Sequence, residues 1–544
     1  TRIASRGDHG CRGGGREDRV LCGRCRSMNS QEKVSIRVDG TVLEVRSGTQ
    51  LAAALMGEGI VAFRSSPCGD KRGVLCAMGS CYECRAMVDG HRLVRTCLVT
   101  VQDGMEITTE RPLEKKLLPA VETTDIVEDE TGVVVIGSGP AGLSAACVAA
   151  ELGQDVLLID ESARPGGRIW AHRGQMPTVV RYWIDKADRA GVRRLQGATV
   201  IDGEPGWLEA ASVISGARTR VRCQKIIVAT GARERFLPFP GWTLPGVVGA
   251  GALQSLIKGG LDVKGKRYVI AGTGPLLLAV AALAVSEGAE VILAEQASLL
   301  QRVPLAFSLL ASPERMTEVW QLWRTLRGVE KISSCWPVKA QGNQRVEKVY
   351  LKTGNATRVE EVDGLAVGYG LVPETRVAQG LGCVLEKDGR VKVDRYQRTS
   401  VEGVLCAGEP TGIAGSEAAL ASGQIAGTVA AAGTPSFKLL QKLRRHRGWG
   451  IALERTHSLR PELIRSLIED VIVCRCEDVA SSSIRGVRSL RQARIQHRIG
   501  MGPCQGRVCM PILALGDTLE HDSVRPPWST CPSPRTELSS TDGH

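Results

Sequence analysis

The pattern of apolar and polar residues divides the chain into short α/β units. Near the N-terminus, Val34–Val38 and Thr41–Val45 alternate apolar and polar positions around Asp39-Gly40. This alternation around an Asp-Gly turn predicts a β-hairpin, and a short helix is predicted over Leu51–Met56. Further along, the predicted strands are continuous β-branched runs that end in glycine-rich turns.

Two such strand–turn–helix–strand patterns occur. In the first, Val133–Ile136 precedes a G-x-G-x-x-G turn, an Ala-rich helix and the strand Val156–Ile159. In the second, Tyr268–Ala271 precedes a turn in which leucine replaces the third glycine, and Val291–Leu293 follows. A later strand over 226–228 and a Gly- and Ala-rich helix over Ser416–Ala431 complete the pattern, which predicts two nucleotide-binding βαβ units.

Composition sets the scale of the molecule. The 544 residues predict three or four domains, and 43% hydrophobic residues with 63 Gly favour α/β nucleotide-binding units over an all-β protein. The net charge of +12 comes without a basic stretch interleaved with aromatic residues, which disfavours nucleic-acid binding and favours a basic surface for an acidic partner. The longest apolar run, around Leu276–Val285, is too short for a bilayer, which needs about 20 apolar residues. We expect no transmembrane segment and a cytoplasmic location, with peripheral contact at the inner face of the membrane left open.

Four cysteines near the N-terminus have the spacing C-x4-C-x2-C-x12-C. They are Cys76, Cys81, Cys84 and Cys97. This is the ligand spacing of a plant-type [2Fe–2S] cluster, whereas the alternative is four buried core thiols. Gly73 and Gly79 let the intervening loop fold so closely that peptide N–H groups point at the sulfurs. Cys68 lies outside the pattern and is expected to be a bystander.

The first glycine-rich turn predicts a dinucleotide site. Gly137 turns the chain, Gly139 lets a pyrophosphate approach the backbone, and Gly142 lets the helix pack on the strand. The helix N-terminus then faces the phosphates. Pro140 and Ala141 lie in this turn. Asp160 ends the second strand and is expected to hydrogen-bond a ribose, and Glu161 follows it as a further candidate cofactor-binding residue.

Later motifs indicate FAD as the nucleotide. They are Gly166-Gly167, the turn Ala229-Thr230-Gly231 and the pair Gly408-Glu409. This set resembles the flavoproteins with two dinucleotide-binding domains, which include the disulfide reductases. The resemblance implies that the final glycine–acid pair places a carboxylate at the ribityl–phosphate end of FAD, with Glu409 where most members have Asp. No paired redox cysteines lie near the expected flavin, so disulfide reductase activity is not expected.

The second glycine-rich turn departs from the fingerprint. Gly272, Gly274 and the acidic Glu295 are present, but Leu277 replaces the third glycine. Three interpretations stay open: a degenerate scaffold, a site for another adenine nucleotide such as ATP, or a working NAD(H) site.

A second set of four cysteines lies near the C-terminus. Cys474 and Cys476 form a C-x-C, and Cys504 and Cys509 form a C-x4-C after a short basic stretch. Gly and Pro beside the second pair suit a tight loop around a cluster, which favours [2Fe–2S]. Zinc is the alternative, although this is not a zinc-ribbon spacing.

Five segments resemble one family of amino-acid dehydrogenases. They are RGVLCAMGSCYECRAMVDG at 72–90, RTCLVTVQDGMEI at 95–107, LRPELIRSLIED at 459–470, and the CRCEDV and GMGPCQGRVC strings that hold the last four cysteines. They are similar to hydrogen cyanide synthase, opine oxidase and sarcosine oxidase alpha-type proteins, with the ferredoxin-like and FAD subunits fused here. The C-terminal segment resembles the domain related to bacterioferritin-associated ferredoxin.

The resemblance implies a multi-domain α/β and α+β fold. An N-terminal β-grasp ferredoxin-like domain would precede a Rossmann-like flavoprotein with two dinucleotide domains and a small helical C-terminal [2Fe–2S] domain. The expected boundaries are a disordered or non-native leader at 1–27, the ferredoxin-like domain at 28–112, a linker at 113–131, FAD-binding parts at 132–261 and 366–433, the second dinucleotide domain at 262–365, connecting helices at 434–470, the cluster domain at 471–514 and a disordered tail at 515–544. Cys22 and Cys25 lie in the leader, and Cys531 in the tail is expected to be unligated.

The resemblance also implies that substrate oxidation and electron transfer lie on different subunits. An amino-acid-oxidase-like flavoprotein beta subunit would oxidise a C–N bond of an amino acid, imino acid or opine, and this chain would carry the electrons through FAD and two clusters to a quinone or a carrier. The catalytic residues would then lie on the partner. The alternatives are a self-contained NAD(P)H-dependent reductase and a non-catalytic iron–sulfur sensor, which would not need a complete FAD motif set.

Overall fold

The computed structural model describes residues 32–90, 92–109, 126–172, 176–302, 313–465, 470–487, 489–516 and 524–530. The expected leader at 1–27 lies outside the described residues, as do most of the expected linker and Cys22, Cys25 and Cys531. The described residues contain no helix of the length and apolarity that a membrane span requires.

The first domain is a five-stranded sheet with one helix against it. The predicted hairpin is present, with Val38 paired to Thr41 across the Asp39-Gly40 turn. The sheet order is Thr41–Arg46, Lys33–Val38, Glu106–Thr108, Arg85–Val88 and Arg92–Arg95, with the helix Leu51–Gly57, the 3-10 turn Thr96–Leu98 and a small ribbon of Arg64–Ser65 and Lys71–Arg72. The cysteine loop leaves this ribbon and enters the sheet at Arg85.

A seven-stranded sheet forms the first nucleotide-binding unit. Its order is Arg193–Gln196, Val156–Asp160, Val127–Ile136, Arg218–Val228, Trp207–Ser212 and Ala198–Glu204, and Val404–Cys406 also pairs with Arg218–Val228. The helices Pro140–Glu151, Thr178–Arg189 and Ser416–Ala430 belong to this unit. The strand Val404–Cys406 arrives from far along the chain, so the second unit is inserted between two parts of the first.

The second unit is a five-stranded parallel sheet with an added antiparallel ribbon. Its strands are Val247–Gly249, Gly364–Gly368, Arg267–Gly272, Glu290–Glu295 and Glu330–Ser333, and its helices are Ala250–Lys258, Pro275–Ser286 and Pro313–Thr325. The ribbon comprises Cys335–Gln341, Lys348–Thr353 and Ala356–Glu361. Ala232–Glu234 pairs with Leu371–Pro373 where the units join, and the short helices Arg376–Gly380 and Glu409–Thr411 follow.

The C-terminal region is mostly helical. It contains the helices Phe437–Thr456, Pro461–Arg465, Leu490–His497 and Met510–Leu513, the strands Ile472–Cys474 and Val479–Ala480, and the 3-10 turns Ser482–Ile484 and Ala514–Gly516. The helix Leu490–His497 separates the two cysteine pairs, as expected from the sequence.

The core explains how these units are joined. One buried cluster combines the first domain with the second nucleotide unit, since Leu51 and Phe63 share it with Leu253 and Ile270. Another cluster contains cysteines of both cysteine loops together with Trp242. Ile270 belongs to the first cluster and its strand neighbours Val269 and Ala271 belong to the second, so the core of the first domain packs on one face of this sheet and both cysteine loops pack on the opposite face.

Two segments differ from the expected boundaries. The first strand of the nucleotide unit begins at Val127, six positions before the predicted Val133, because its polar part pairs with Arg218–Val228 along its whole length. Residues 524–530 also differ from the expected disordered tail. Trp528 is 1% exposed inside the core of the seven-stranded sheet, and its backbone N–H donates to the Ile201 carbonyl at 2.7 Å. The Pro-rich composition of this segment predicted disorder and gave no indication that Trp528 anchors it.

Candidate functional site

Two of the three glycines in the turn after the first strand leave no room for a side chain. A Cβ on Gly142 would lie 1.7 Å from the Gly137 carbonyl oxygen, and one on Gly137 would lie 2.4 Å from the Ala229 carbonyl oxygen. Gly137 also has φ +104°, which favours glycine. Gly139 caps the helix Pro140–Glu151, whose first N–H groups point into the adjacent cavity. The local geometry is that of a phosphate-binding turn.

One cavity collects most of the residues predicted to bind FAD. Its lining includes Gly137, Gly139, Pro140, Ala141, Asp160, Glu161, Gly167, Ala229, Thr230, Gly231, Gly408 and Glu409. Gly142 and Gly166 are not in the lining. Gly142 packs beneath the turn, and Gly166 donates its N–H to the Ser138 carbonyl at 2.9 Å.

The acidic pair at the end of the second strand has two different roles. Asp160 accepts hydrogen bonds from the backbone N–H groups of Ser138 at 2.6 Å and Ser162 at 2.7 Å. Its carboxylate therefore holds the turn in place. Glu161 is 34% exposed at the cavity wall and lies 3.4 Å from the guanidinium of Arg95. Sequence reasoning gave the ribose contact to Asp160, whereas Glu161 has the freer carboxylate.

Two carboxyl groups in the cavity wall have raised pKa values. Burial raises the pKa of Glu409 to about 7. Burial also raises the pKa of Glu234 to about 8. Backbone hydrogen bonds from the start of the helix Ala250–Lys258 lower this pKa, but the effect of burial is larger. Glu234 was not predicted from the sequence, because no motif surrounds it.

Buried atoms without partners mark where a ligand fits. The hydroxyl of Ser138 and one carboxyl oxygen of Glu234 are buried and have no hydrogen-bond partner among the described residues. Ser138 lies inside the phosphate-binding turn, and Glu234 lines the same cavity. Together with the glycine turn, these groups fit a bound FAD.

The N-terminal cysteine loop forms another wall of this cavity. Met78, Gly79 and Ser80 line it. Arg95 donates to the Gly79 carbonyl at 2.8 Å, and Arg168 donates to the Ala77 carbonyl at 3.3 Å. Two arginines missed by the sequence analysis thus tie the cysteine loop to the acidic and glycine-rich loops of the nucleotide site.

The four N-terminal cysteines are all buried and form two pairs. Burial alone raises the pKa of Cys76, but hydrogen bonds from the Cys81 thiol and nearby backbone N–H groups lower it to about 7. In the second pair, contact with Cys97 lowers the pKa of Cys84 against the effect of burial. The N–H of Gly79 lies 3.2 Å from Cys97 Sγ, as expected for a loop that stabilises thiolates.

The C-terminal cysteines are arranged in the same way. Contact with Cys476 lowers the pKa of Cys504 to about 6 against the effect of burial, and contact with Cys509 lowers that of Cys474. A Cβ on Gly502 would lie 2.2 Å from Cys476 Cβ, so this glycine permits the close approach of the two halves of the loop. Both sets thus consist of two contacting cysteine pairs.

The leucine at the third glycine position of the second nucleotide unit packs into the core. The side chain of Leu277 is buried, and the Glu295 carboxylate accepts hydrogen bonds from Gly274 N at 3.1 Å and Ala297 N at 2.9 Å. Gly272 has φ +135° and retains the tight turn. Glu295 thus closes its own loop, as Asp160 does in the first unit.

Comparison with known proteins agrees with this description. Residues 131–433 match the family described as pyridine nucleotide-disulphide oxidoreductase, and residues 31–112 match the 2Fe-2S iron-sulfur cluster binding domain. These matches confirm the predicted fold class, with a Rossmann-type FAD fold behind an N-terminal 2Fe-2S domain.

Individual relatives cover most of the chain. An opine oxidase subunit of Rhizobium meliloti strain 1021 is 31% identical over 438 residues, which span 72% of this chain and 95% of the relative. Hydrogen cyanide synthase subunit HcnB of Pseudomonas protegens is 30% identical over 424 residues, spanning 69% and 90%. The crystal structure of L-proline dehydrogenase from P. horikoshii shares the fold, with a TM-score of 0.69, 20% identity and coverage of 92% of this chain and 97% of that one.

The predicted family is therefore confirmed: the chain belongs to the pyridine nucleotide-disulphide oxidoreductase family, in the group of FAD-dependent oxidoreductases that contains this opine oxidase subunit together with hydrogen cyanide synthase subunit HcnB.

Proposed function

We propose that the chain is the electron-transfer subunit of a heteromeric dehydrogenase that oxidises a C–N bond of an amino acid, imino acid or opine. It would carry FAD and two [2Fe–2S] clusters. The similar proteins are named as subunits of opine oxidase and hydrogen cyanide synthase, which supports both this substrate class and the presence of a partner.

One observation carries the proposal. The N-terminal cysteine loop and the FAD-type glycine turn line a single cavity, where Gly79 and Ser80 face the same space as Gly137 and Gly139. FAD, when bound, accepts two electrons together and releases them singly, which suits a neighbour that takes one electron at a time. The contact between loops makes the first cluster the immediate neighbour of the flavin site.

The chain's own residues position and shield the site. Arg95 joins the cysteine loop to Glu161, and Arg168 joins it to the loop that contains Gly167. Glu234 and Glu409 have raised pKa values, so they can hold protons inside the cavity near neutral pH. These groups balance charge beside the cofactor, and substrate oxidation is assigned to an amino-acid-oxidase-like partner.

The C-terminal cysteines would hold the second cluster. Their pairwise arrangement repeats that of the N-terminal set, which supports [2Fe–2S] over a single tetrahedral zinc ion. No group of three or more His, Cys, Asp or Glu side chains surrounds a single-ion position in the part of the chain that the structure describes. The acceptor of the electrons would be a quinone or a carrier protein.

The second nucleotide unit would serve as a scaffold. Leu277 replaces the third glycine and packs into the core, and Glu295 accepts hydrogen bonds from backbone N–H groups of its own loop, which disfavours a working NAD(H) site. The self-contained NAD(P)H reductase would need that site.

The test is anaerobic reduction of the purified chain with and without its partner. Alone, the chain should show no flavin bleaching with NADH or with a panel of proline, hydroxyproline, sarcosine, glycine and opines. Once an amino-acid-oxidase-like partner is added, one of these substrates should bleach the flavin and produce the electron paramagnetic resonance signal of reduced clusters. Rapid bleaching by NADH, or full substrate oxidation by the chain alone, would overturn the proposal.

A further inference from the structure

The two cysteine loops meet through a buried ion pair. Glu83 lies between Cys81 and Cys84, and Arg475 lies between Cys474 and Cys476. Arg475 Nε donates to Glu83 Oε1 at 3.2 Å, and both side chains are 1% exposed. Each partner of the pair is thus a chain neighbour of ligands from a different cysteine set.

A second arginine and a tryptophan hold this pair in place. Arg64 Nη2 lies 2.9 Å from Glu83 Oε2, in an ion-pair contact outside hydrogen-bond geometry, and donates to the Arg475 carbonyl at 3.0 Å. Arg475 Nη1 donates to the Trp242 carbonyl at 2.8 Å, and its guanidinium lies 4.9 Å from the centre of the Trp242 ring. The orientation of Glu83 and Arg475 is therefore fixed from several sides.

Stability alone is a weak explanation for such a pair. Desolvation of two charges offsets most of their attraction, and an apolar pair of similar size is often as stable. Charges and hydrogen bonds next to an iron–sulfur cluster, however, change its reduction potential. Here a carboxylate and a guanidinium lie next to the ligands of both sets.

We propose that the Glu83–Arg475 pair is a positioning contact that seats the two cluster loops against each other and sets the charge that both clusters experience. This inference rests on the proposed function only in that both cysteine sets carry clusters.

The sign of each effect follows from the charge of each residue. Reduction adds one negative charge to a cluster. The Glu83 carboxylate opposes that charge, and the Arg475 guanidinium favours it. Glu83→Gln should therefore raise both cluster potentials, and Arg475→Gln should lower both.

The experiment is a redox titration of the full holoprotein, followed by electron paramagnetic resonance of each cluster. We expect Glu83→Gln to shift the oxidised-to-reduced ratio at a fixed potential at least tenfold, which is about 59 mV for a one-electron couple. Arg475→Gln should shift the ratio in the opposite direction, and Arg475→Lys should restore most of the wild-type potential. The matched controls are Glu58→Gln and Arg491→Gln, at exposed positions of the same two regions, and these should shift neither cluster.

A double Glu83→Gln/Arg475→Gln variant covers the case in which a single variant fails to fold, because it removes both charges of the pair, while Arg64 keeps its hydrogen bond to the backbone carbonyl at position 475. Its potentials should lie between those of the single variants. Equal potentials in all iron-replete variants would overturn the inference and leave the proposed function intact. A wild-type chain that lacks iron at one cysteine set would instead contradict the proposed function itself.

Discussion

Arg72 and Asp478 form an ion pair with a 2.7 Å contact between Nη2 and Oδ1, although 406 positions separate them in the chain. Both side chains are almost fully buried. The other oxygen of Asp478 accepts the backbone N–H of Cys68 at 3.0 Å. The first domain and the region of the C-terminal cysteines are thus held together by charges from both ends of the chain.

Removing Asp478 should weaken this junction strongly. Asp478→Ala removes the buried carboxylate partner of Arg72 and leaves its guanidinium only the 3.4 Å contact with the exposed Asp70, so we expect a loss of about 3 kcal/mol in the free energy of unfolding. Chemical denaturation followed by visible absorption of the clusters would measure the change. Asp388→Ala removes an exposed partner of Arg390 and should cost less than about 1 kcal/mol. Equal effects of the two variants would contradict the prediction.

Gly142→Ala should abolish FAD binding while leaving the clusters in place. The new Cβ would overlap the Gly137 carbonyl at 1.7 Å, so the phosphate-binding turn must open. Flavin content by absorption and iron content by colorimetry would be measured on the same preparation. Gly448→Ala is the control, because a Cβ there meets nothing within 4 Å in the helix Phe437–Thr456. Retention of flavin in Gly142→Ala would show that the turn is not the cofactor site.

Cys504→Ser should remove one of the two clusters. The pairing of Cys504 with Cys476 supplies two ligands of the C-terminal set, so its loss should lower iron and sulfide content by about half. Cys383→Ser removes a buried cysteine outside both sets and should leave the iron content unchanged. Zinc in place of iron at this set, detected by elemental analysis, would contradict the prediction.

Glu234 should make the protein less stable as the pH rises. Burial raises its pKa in the folded state to about 8 from an ordinary value of 4.5. Between these two values the folded carboxyl keeps a proton that the unfolded chain releases. The contribution of Glu234 to the free energy of unfolding is therefore fully present below pH 4.5 and is lost as the pH rises to about 8. Glu234→Gln should therefore melt at a higher temperature than wild type at about pH 8 and at a similar temperature at about pH 4.5. Melting curves at matched cofactor content would test this, and parallel pH profiles would contradict it.

Trp528→Ala should destabilise the FAD-binding unit. The indole is buried against Gly380, where a Cβ would lie 2.2 Å from the ring, so truncation leaves a large cavity. We expect a loss of about 3–5 kcal/mol in the free energy of unfolding. Trp323→Ala, at an exposed helix position, should have little effect. If Trp528→Ala and Trp323→Ala have the same melting temperature, residues 524–530 do not anchor this part of the chain.

Local motifs were predicted best from the sequence. The glycine turn at 137–142 and the cysteine loop at 76–84 are compact in sequence, so their spacing alone dictates a tight turn or a thiol loop. The hairpin around Asp39-Gly40 and the helix near 416–430 were predicted for the same reason. In each case, nearby residues decide the backbone geometry.

Roles that depend on neighbours from elsewhere in the chain were predicted less well. Asp160 lies at the predicted position, but backbone N–H groups of Ser138 and Ser162 engage both of its oxygens, and Glu161 faces the cavity. Glu234 and Arg95 had no sequence signal, because their environment comes from helices and loops far along the chain. The strand from Val127 was underestimated because its exposed polar half is stabilised by pairing rather than by burial.

The sequence by itself thus determined which residues are candidates for cofactor binding: two sets of four cysteines and one nucleotide turn, each recognised from its spacing. Only the tertiary structure decided how these sites are connected. The N-terminal cysteine loop borders the FAD cavity and also meets the C-terminal loop through Glu83 and Arg475. No local spacing could specify these contacts, because they result from burying apolar surfaces of both chain ends on the second nucleotide unit, which brings distant charges into one desolvated junction.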